Sequence, residues 1–200
     1  MTDPVLFHTI QIVKFISLGL PGLLLIEPRV FEDSRGYFFE SYRRDLFLKN
    51  GISEDFVQDN ESRSSLGALR GLHYQIEPRA QAKLVRVLKG KVFDVAVDIR
   101  PGSETFGCHF SMVMDSTKKQ MLYIPAGFAH GFCTLEDETQ FLYKVSDFHS
   151  PGHERGILWN DPDLAIDWPK MDYIFSAKDQ KYPRFREVFK DFSRQRPGGL

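Results

Sequence analysis

The sequence predicts a mainly β protein: a closed or double-sheet antiparallel fold of the jelly-roll type, with a few short helices. Three observations carry this. Short apolar runs recur along most of the chain, and several alternate with a period of two. Gly- and Pro-containing turns separate them. Eighteen phenylalanines among 200 residues supply rings to fill a thick centre between sheets.

Composition narrows the function. A chain of this length suits one domain, read as residues 13–200 behind an N-terminal extension of residues 1–12. Apolar residues make up 42%, enough for a core. A formal net charge of -1 gives no general pull on nucleic acid or a membrane surface, so any anion recognition must be local. Cys108 and Cys133 form neither a disulfide framework nor a metal-ligand spacing, so a cytoplasmic setting is the default. Residues 1–26 are apolar on average but carry Asp3 and Lys14. The longest uncharged run, Phe15–Ile26, is broken by Gly19, Pro21 and Gly22. That run is too short to span a bilayer and lacks a signal-peptide layout.

In chain order, residues 13–27 read as two strands around the turn Leu20-Pro21-Gly22. The segment Glu32-Asp33-Ser34-Arg35-Gly36 is a turn into an aromatic strand, Tyr37–Tyr42. Arg43–Asn50 reads as a short helix stopped by Asn50-Gly51. Ala68–Tyr74 and Lys83–Leu88 are strands, and Lys89-Gly90-Lys91 is a tight turn. Val92–Ile99 alternates, with Phe93, Val95, Val97 and Ile99 on one face and Asp94, Ala96 and Asp98 on the other. Phe106–Met114, Gln120–Ile124, Gly131–Leu135 and Gln140–Asp147 complete the strands. Residues 148–168, rich in Pro, Gly, Asp and His, read as irregular surface structure. Phe185, Val188, Phe189 and Phe192 mark one face of a terminal helix, and residues 196–200 read as frayed.

The chemistry concentrates in Val57–Val87. Gln58, Asn60, Arg63, Arg70, His73, Gln75 and Lys83 alternate there with apolar residues, the pattern of a sheet whose inner face is partly polar and lines a pocket. If the strands carrying His73 and Lys83 pair, the two line one cavity. An imidazole and an ammonium can then remove a proton beside a carbonyl and stabilise the enolate. The competing reading is a core histidine bonded to a backbone carbonyl. Strict alternation puts Arg70 opposite His73, unless Gly71 hosts a bulge that turns it inward. Tyr143 is either core or a phenolic acid facing the pocket, and Asp179 reads as a solvated loop carboxylate. Arg35, Arg63 and Arg70, near glycines, suit phosphate oxygens. Nucleotide loops of the GxGxxG and GxxxxGK[ST] kinds are absent.

Pro125–His130 has the form PxGxxH, which resembles the second cupin motif, where that histidine is often a metal ligand. The first-motif slot holds His73-Tyr74-Gln75. That leaves at most two histidines and no obvious carboxylate, too few for a closed or catalytic metal site, so the reading is metal-independent.

Longer segments carry a fuller resemblance. They are FEDSRGYFFE (Phe31–Glu40), FVQDNESRSSLGALRGLHYQ (Phe56–Gln75), QAKLVRVLKGKVFDVAVDIRPGS (Gln81–Ser103), IPAGFAHGF (Ile124–Phe132), FLYKVSDFHSPGHERGI (Phe141–Ile157), WNDPDLAIDWP (Trp159–Pro169) and SAKD (Ser176–Asp179). Together they resemble the dTDP-4-dehydrorhamnose 3,5-epimerase family of the cupin superfamily. The resemblance implies a β jelly-roll homodimer that epimerises dTDP-4-dehydro-6-deoxyglucose at C3 and C5 without a cofactor. It implies His73 as general base, Asp179 as the residue orienting it, Lys83 near the C4 carbonyl and Tyr143 as the acid on the opposite face. The implied substrate contacts are Phe31, Arg35, Glu40, Gln58, Asn60, Arg70, His130, Glu154 and Lys178.

Two positions depart from the family pattern. His149 stands where a tyrosine commonly precedes Ser-Pro, and Gly152 replaces a usual glutamate. The first bears on nucleotide-base selectivity and on the balance between C3 and C5. A C3- or C5-mono-epimerase and a non-catalytic sugar-nucleotide-binding cupin are therefore the alternatives.

Overall fold

The structure is a computed structural model and describes residues 13–189. The expected extension at 1–12, Phe192 and the tail 196–200 lie outside the described residues.

The elements in order are β1 (Val13–Ser17), β2 (Leu24–Pro28), β3 (Phe31–Asp33), β4 (Gly36–Phe38), helix α1 (Arg44–Lys49), β5 (Gln58–Ser64), β6 (Leu69–Gln75), β7 (Lys83–Lys89), β8 (Lys91–Asp98), β9 (His109–Asp115), β10 (Met121–Ile124), β11 (Phe128–Thr134), β12 (Thr139–Val145) and β13 (Glu154–Gly156). A 3-10 turn (Asp179–Lys181) and helix α2 (Phe185–Val188) close the described chain. Two antiparallel sheets face each other, one ordered β1-β2-β10-β7-β12-β5 and the other β13-β6-β11-β8-β9; β3 and β4 form a separate hairpin. This is the jelly-roll arrangement that the alternation and turns imply.

Each sheet is buried on both faces, which explains why so many apolar residues occupy both strand parities. Between the sheets lie Val85, Val87, Leu122, Phe128, Phe132 and Phe141, among others. The outer face of the six-stranded sheet packs Ile26, Leu84 and Tyr123 against Phe47 of α1. The outer face of the five-stranded sheet packs Val95, Val97 and Ile99 against Ile157, Leu164, Trp168 and Phe185. The alternation of β8 is therefore as expected: Val95, Val97 and Ile99 point to the outer cluster, and Ala96 joins the inner one.

Several elements differ from their sequence-based expectation. The aromatic strand ends at Phe38 rather than Tyr42. The strand expected from Phe106 begins at His109, because Gly107 turns the chain with φ of 78°. β11 starts earlier than expected, at Phe128. Residues 148–168 are not merely surface: β13 pairs with β6, and Ile157, Leu164 and Trp168 are buried. The strands carrying His73 and Lys83 do not pair; β6 and β7 lie in opposite sheets.

The β6–β11 pair contains the bulge that Gly71 was a candidate to host. His73 stands opposite His130 and Arg70 opposite Phe132, so two residues of β6 face one of β11. Gly71 has φ of 127°, and a Cβ there would lie 2.5 Å from Gly131 Cα and 2.8 Å from the His130 carbonyl oxygen. The left-handed backbone and the close approach both require glycine. Gly71→Ala is expected to lower the unfolding free energy by about 1–3 kcal/mol through strain and overpacking. The check is a lower urea midpoint at unchanged slope.

Candidate active site

The cavity opens between the sheets and measures about 410 Å³. Its six-stranded wall is built in cross-strand rows. Gln58, Val145 and Lys83 form one, Asn60, Tyr143 and Val85 the next, and Ser62, Phe141 and Val87 a third. Period-two geometry turns Gln58, Asn60 and Ser62 of β5 to the same face. The opposite wall carries Arg70 and His73 of β6 and His130 and Phe132 of β11, brought into line by the bulge. His149 and Glu154 complete the rim.

His73 Nε2 lies 2.6 Å from Asp179 Oδ1. Asp179 is 3% exposed, so it is not a solvated loop carboxylate. The 3-10 turn that begins at Asp179 brings its side chain against His73, and its backbone N–H donates to Ser176 Oγ at 3.1 Å. A carboxylate accepts, so Nε2 carries the proton and Nδ1 keeps its lone pair.

Lys83 is buried, and its Nζ donates to the His73 backbone carbonyl at 3.2 Å across the gap between sheets. Burial pulls its pKa down to about 8, against the opposing pull of Asp94 and Glu154. His130 and Asp94 are also buried, with Nε2 at 3.0 and 3.1 Å from the two carboxylate oxygens. Desolvation holds the His130 pKa below its ordinary value, with Asp94 opposing. Burial pushes the Tyr143 phenol up, so it keeps its proton at neutral pH; Arg70 opposes that rise and Glu154 adds to it.

The rim carries a second network. Glu154 accepts from Lys178 Nζ at 2.5 Å and lies 3.3 Å from His149 Nε2. Burial raises the Glu154 pKa, but the bonds from Lys178 and His149 outweigh it, and the carboxyl stays below its usual range. Arg70 is steadied by Ser64 Oγ, which accepts from Nη2 at 3.1 Å.

The structure thus gathers His73, Lys83, Tyr143, Gln58, Asn60, Arg70, His130 and Glu154 around one cavity, with Asp179 and Lys178 bonded to members of it. Phe31, Arg35 and Glu40 are not brought there. Phe31 and Arg35 project on the β3–β4 hairpin, Arg35 paired with Asp33, while Glu40 lies 3.5 Å from Arg43. Arg63 points away and pairs with Glu138. Sequence reasoning missed Ser62 as a cavity group and Asp94 as the buried partner of His130. The i, i+2 continuation of Gln58 and Asn60 was the available signal for Ser62. An acid flanked by apolar residues in β8 was the signal for Asp94.

His130, in the PxGxxH position, has its Nε2 taken by Asp94. Among the described residues no group of three or more His, Cys, Asp or Glu is arranged to hold a metal ion. Lys83 is expected to ionise near pH 8, measurable by NMR of its Cε resonance. Asp94→Asn removes an attractive charge and is expected to move that ionisation to lower pH.

The sequence matches the family model described as dTDP-4-dehydrorhamnose 3,5-epimerase over residues 17–187. It is 52% identical over 178 residues to the dTDP-4-dehydrorhamnose 3,5-epimerase of Pseudomonas aeruginosa, spanning 88% of this chain and 98% of that one. It is 50% identical over 174 residues to the same-named protein of Shigella flexneri, spanning 86% and 96%. Among solved structures, the dTDP-6-deoxy-D-glucose-3,5-epimerase of Legionella pneumophila in complex with dTDP-4-keto-L-rhamnose aligns with a TM-score of 0.86 at 43% identity, covering 90% of this chain and 96% of that one. With the match running across nearly the whole described region, the chain belongs to the dTDP-4-dehydrorhamnose 3,5-epimerase family.

Proposed function

We propose that this protein converts dTDP-4-dehydro-6-deoxy-D-glucose to dTDP-4-dehydro-L-rhamnose, epimerising C3 and C5, in dTDP-L-rhamnose biosynthesis. The observation that carries the reading is the placement of an imidazole and a phenol on opposite walls of one cavity, His73 on β6 and Tyr143 on β12, with a buried ammonium beside them. Inverting a carbon next to a ketone needs a proton removed from one face and another returned to the other.

In this reading the C4 ketone acidifies the hydrogens at C3 and C5. His73 Nδ1 takes one, and the C–H electron pair moves into the enolate. Lys83 stabilises the developing oxyanion, an effect worth about 3 kcal/mol for one donor. Tyr143 gives its proton to the other face of the carbon and is left as a phenolate; solvent reprotonates Tyr143 and takes the proton from His73, and the step repeats at the second position. Asp179 holds the imidazole and stabilises its charged form. Arg70, Gln58, Asn60, His130, Glu154 and Lys178 bind the sugar nucleotide. Oxidation state is unchanged throughout.

Incubation in D₂O followed by proton NMR tests this. Deuterium at both C3 and C5 is expected. Deuterium at one carbon marks a mono-epimerase, and none despite binding marks a non-catalytic cupin. A positioned base contributes about 10²–10⁴ in rate. His73→Ala is therefore expected to cut turnover by about 10³-fold while substrate still binds. Near-normal turnover in that variant would sink the mechanism. Because Lys83 acts as its ammonium, present below its pKa of about 8 and lost above it, turnover is expected to fall as pH rises through that value.

We also infer a homodimer, in the cytoplasm. Both cysteines are free, and among the described residues no helix is long and apolar enough to cross a membrane. The hairpin supports the dimer: the cross-strand neighbours Phe31 and Phe38 are 43% and 66% exposed, an aromatic pair that water disfavours. It carries Phe31 and Arg35, two family-matched residues that do not line this chain's own cavity. Sedimentation is expected to give twice the 23.1 kDa chain mass, and Phe38→Asp to shift it towards monomer. A fully active monomeric wild type would overturn the dimer.

A further inference from the structure

A further aromatic ring packs against the bonded pair His73 and Asp179. Tyr182 follows Asp179 at i+3, where the 3-10 turn ends and the chain becomes extended. Its ring meets the His73 imidazole edge-on, with centroids 5.6 Å apart and planes at 70°. Its hydroxyl is buried, and burial is the main cause of its raised pKa.

The space for that ring comes from Gly156. On β13, Gly156 is the direct cross-strand neighbour of His73. A Cβ at Gly156 would overlap Cε2, Cζ and Cδ2 of Tyr182. Gly156 is not among the positive-φ glycines, so its backbone does not demand the residue. The ring does. A side chain missing from the strand beside the base thus makes a slot, and the turn that supplies Asp179 also supplies the aromatic group that fills it.

The physical need is clear. One hydrogen bond, Nε2 to Asp179, fixes a point on the imidazole but leaves the ring free to swing about it. Carbon acids require the lone pair aligned with the C–H bond, and a misplacement of about 1 Å can cost about 10²-fold in rate. A second contact, from the Tyr182 ring that meets the imidazole edge-on, restricts that freedom. The Leu158 N–H to Pro183 carbonyl bond at 2.9 Å pins the segment just after Tyr182 to the strand side.

We propose that Tyr182 is a positioning residue for His73: its ring, seated on Gly156, holds the imidazole against Asp179 with Nδ1 aimed into the cavity. This rests on His73 being the base.

The test combines kinetics with NMR of the free protein. Tyr182→Ala is expected to lower kcat for deuterium incorporation by about 10–100-fold, with KM within about threefold of wild type. In the substrate-free protein, the downfield Nε2 proton of the His73–Asp179 bond is expected to broaden or vanish. Tyr182→Phe keeps the ring and is expected to rescue both readouts. Gly156→Ala, which displaces the ring from beneath, is expected to reproduce the Tyr182→Ala signature without altering Tyr182.

Wild-type kcat and an unchanged Nε2 proton in Tyr182→Ala would overturn the proposal. So would a Tyr182→Phe loss as large as that of Tyr182→Ala, which would assign the role to the hydroxyl. A rise in KM that accounts for the whole loss would make Tyr182 a binding residue instead. If wild type incorporates no deuterium, the epimerase reading fails. The Nε2 proton in the three variants still decides whether Tyr182 holds the dyad.

Discussion

At Gly71 and Gly131 two neighbouring strands come so close that neither tolerates a side chain, and the cavity depends on that approach. The bulge that accompanies it adds one residue to β6. Without it, strict alternation would send Arg70 to the outer apolar cluster whenever His73 faced inward. With it, both line the same cavity, and Leu72 still fills the outer core. One backbone irregularity therefore converts a packed strand into a strand that bears a site, a common use of bulges.

The second constraint is electrostatic. Lys83, His130 and Asp94 sit together with almost no solvent. An isolated buried ammonium would lose its proton readily, and burial does lower the Lys83 pKa to about 8. Asp94 and Glu154 oppose that loss, and His130 is kept neutral by its own burial. The result is an ammonium that titrates at about pH 8 and faces His73 across the cavity, where the proposed mechanism calls for a cation. A lysine in water would be fully charged but heavily screened, and a weaker stabiliser.

The third constraint is the covering of the five-stranded sheet. Residues 157–189 wrap its outer face with Ile157, Trp159, Leu164, Trp168, Phe175 and Phe185. This wrap buries apolar surface that a free sheet would expose. It also carries Asp179 and Tyr182 to His73, more than a hundred residues away in sequence. Packing and positioning are here one act: the hydrophobic closure of the sheet brings Asp179 and Tyr182 against His73.

The sequence by itself determined the antiparallel β class, most strand positions and the two-face alternation of β8. Those rest on local alternation and turn residues, which act over a few neighbours. It also marked His73, Lys83, Arg70 and Tyr143 as chemical groups set among apolar ones, with Gly71 as the place for a bulge. Its motifs supplied the family. Tertiary structure decided what depends on distant segments. His73 and Lys83 share a cavity because their strands face each other across two sheets, not because they pair. Asp179 is buried against His73 because the terminal wrap brings it there, although its own neighbours read as a solvated loop. Asp94 binds His130 because β8 and β11 pair, a register no local pattern encodes. Periodicity reports which face a residue takes; only the packing of the whole chain decides what that face meets.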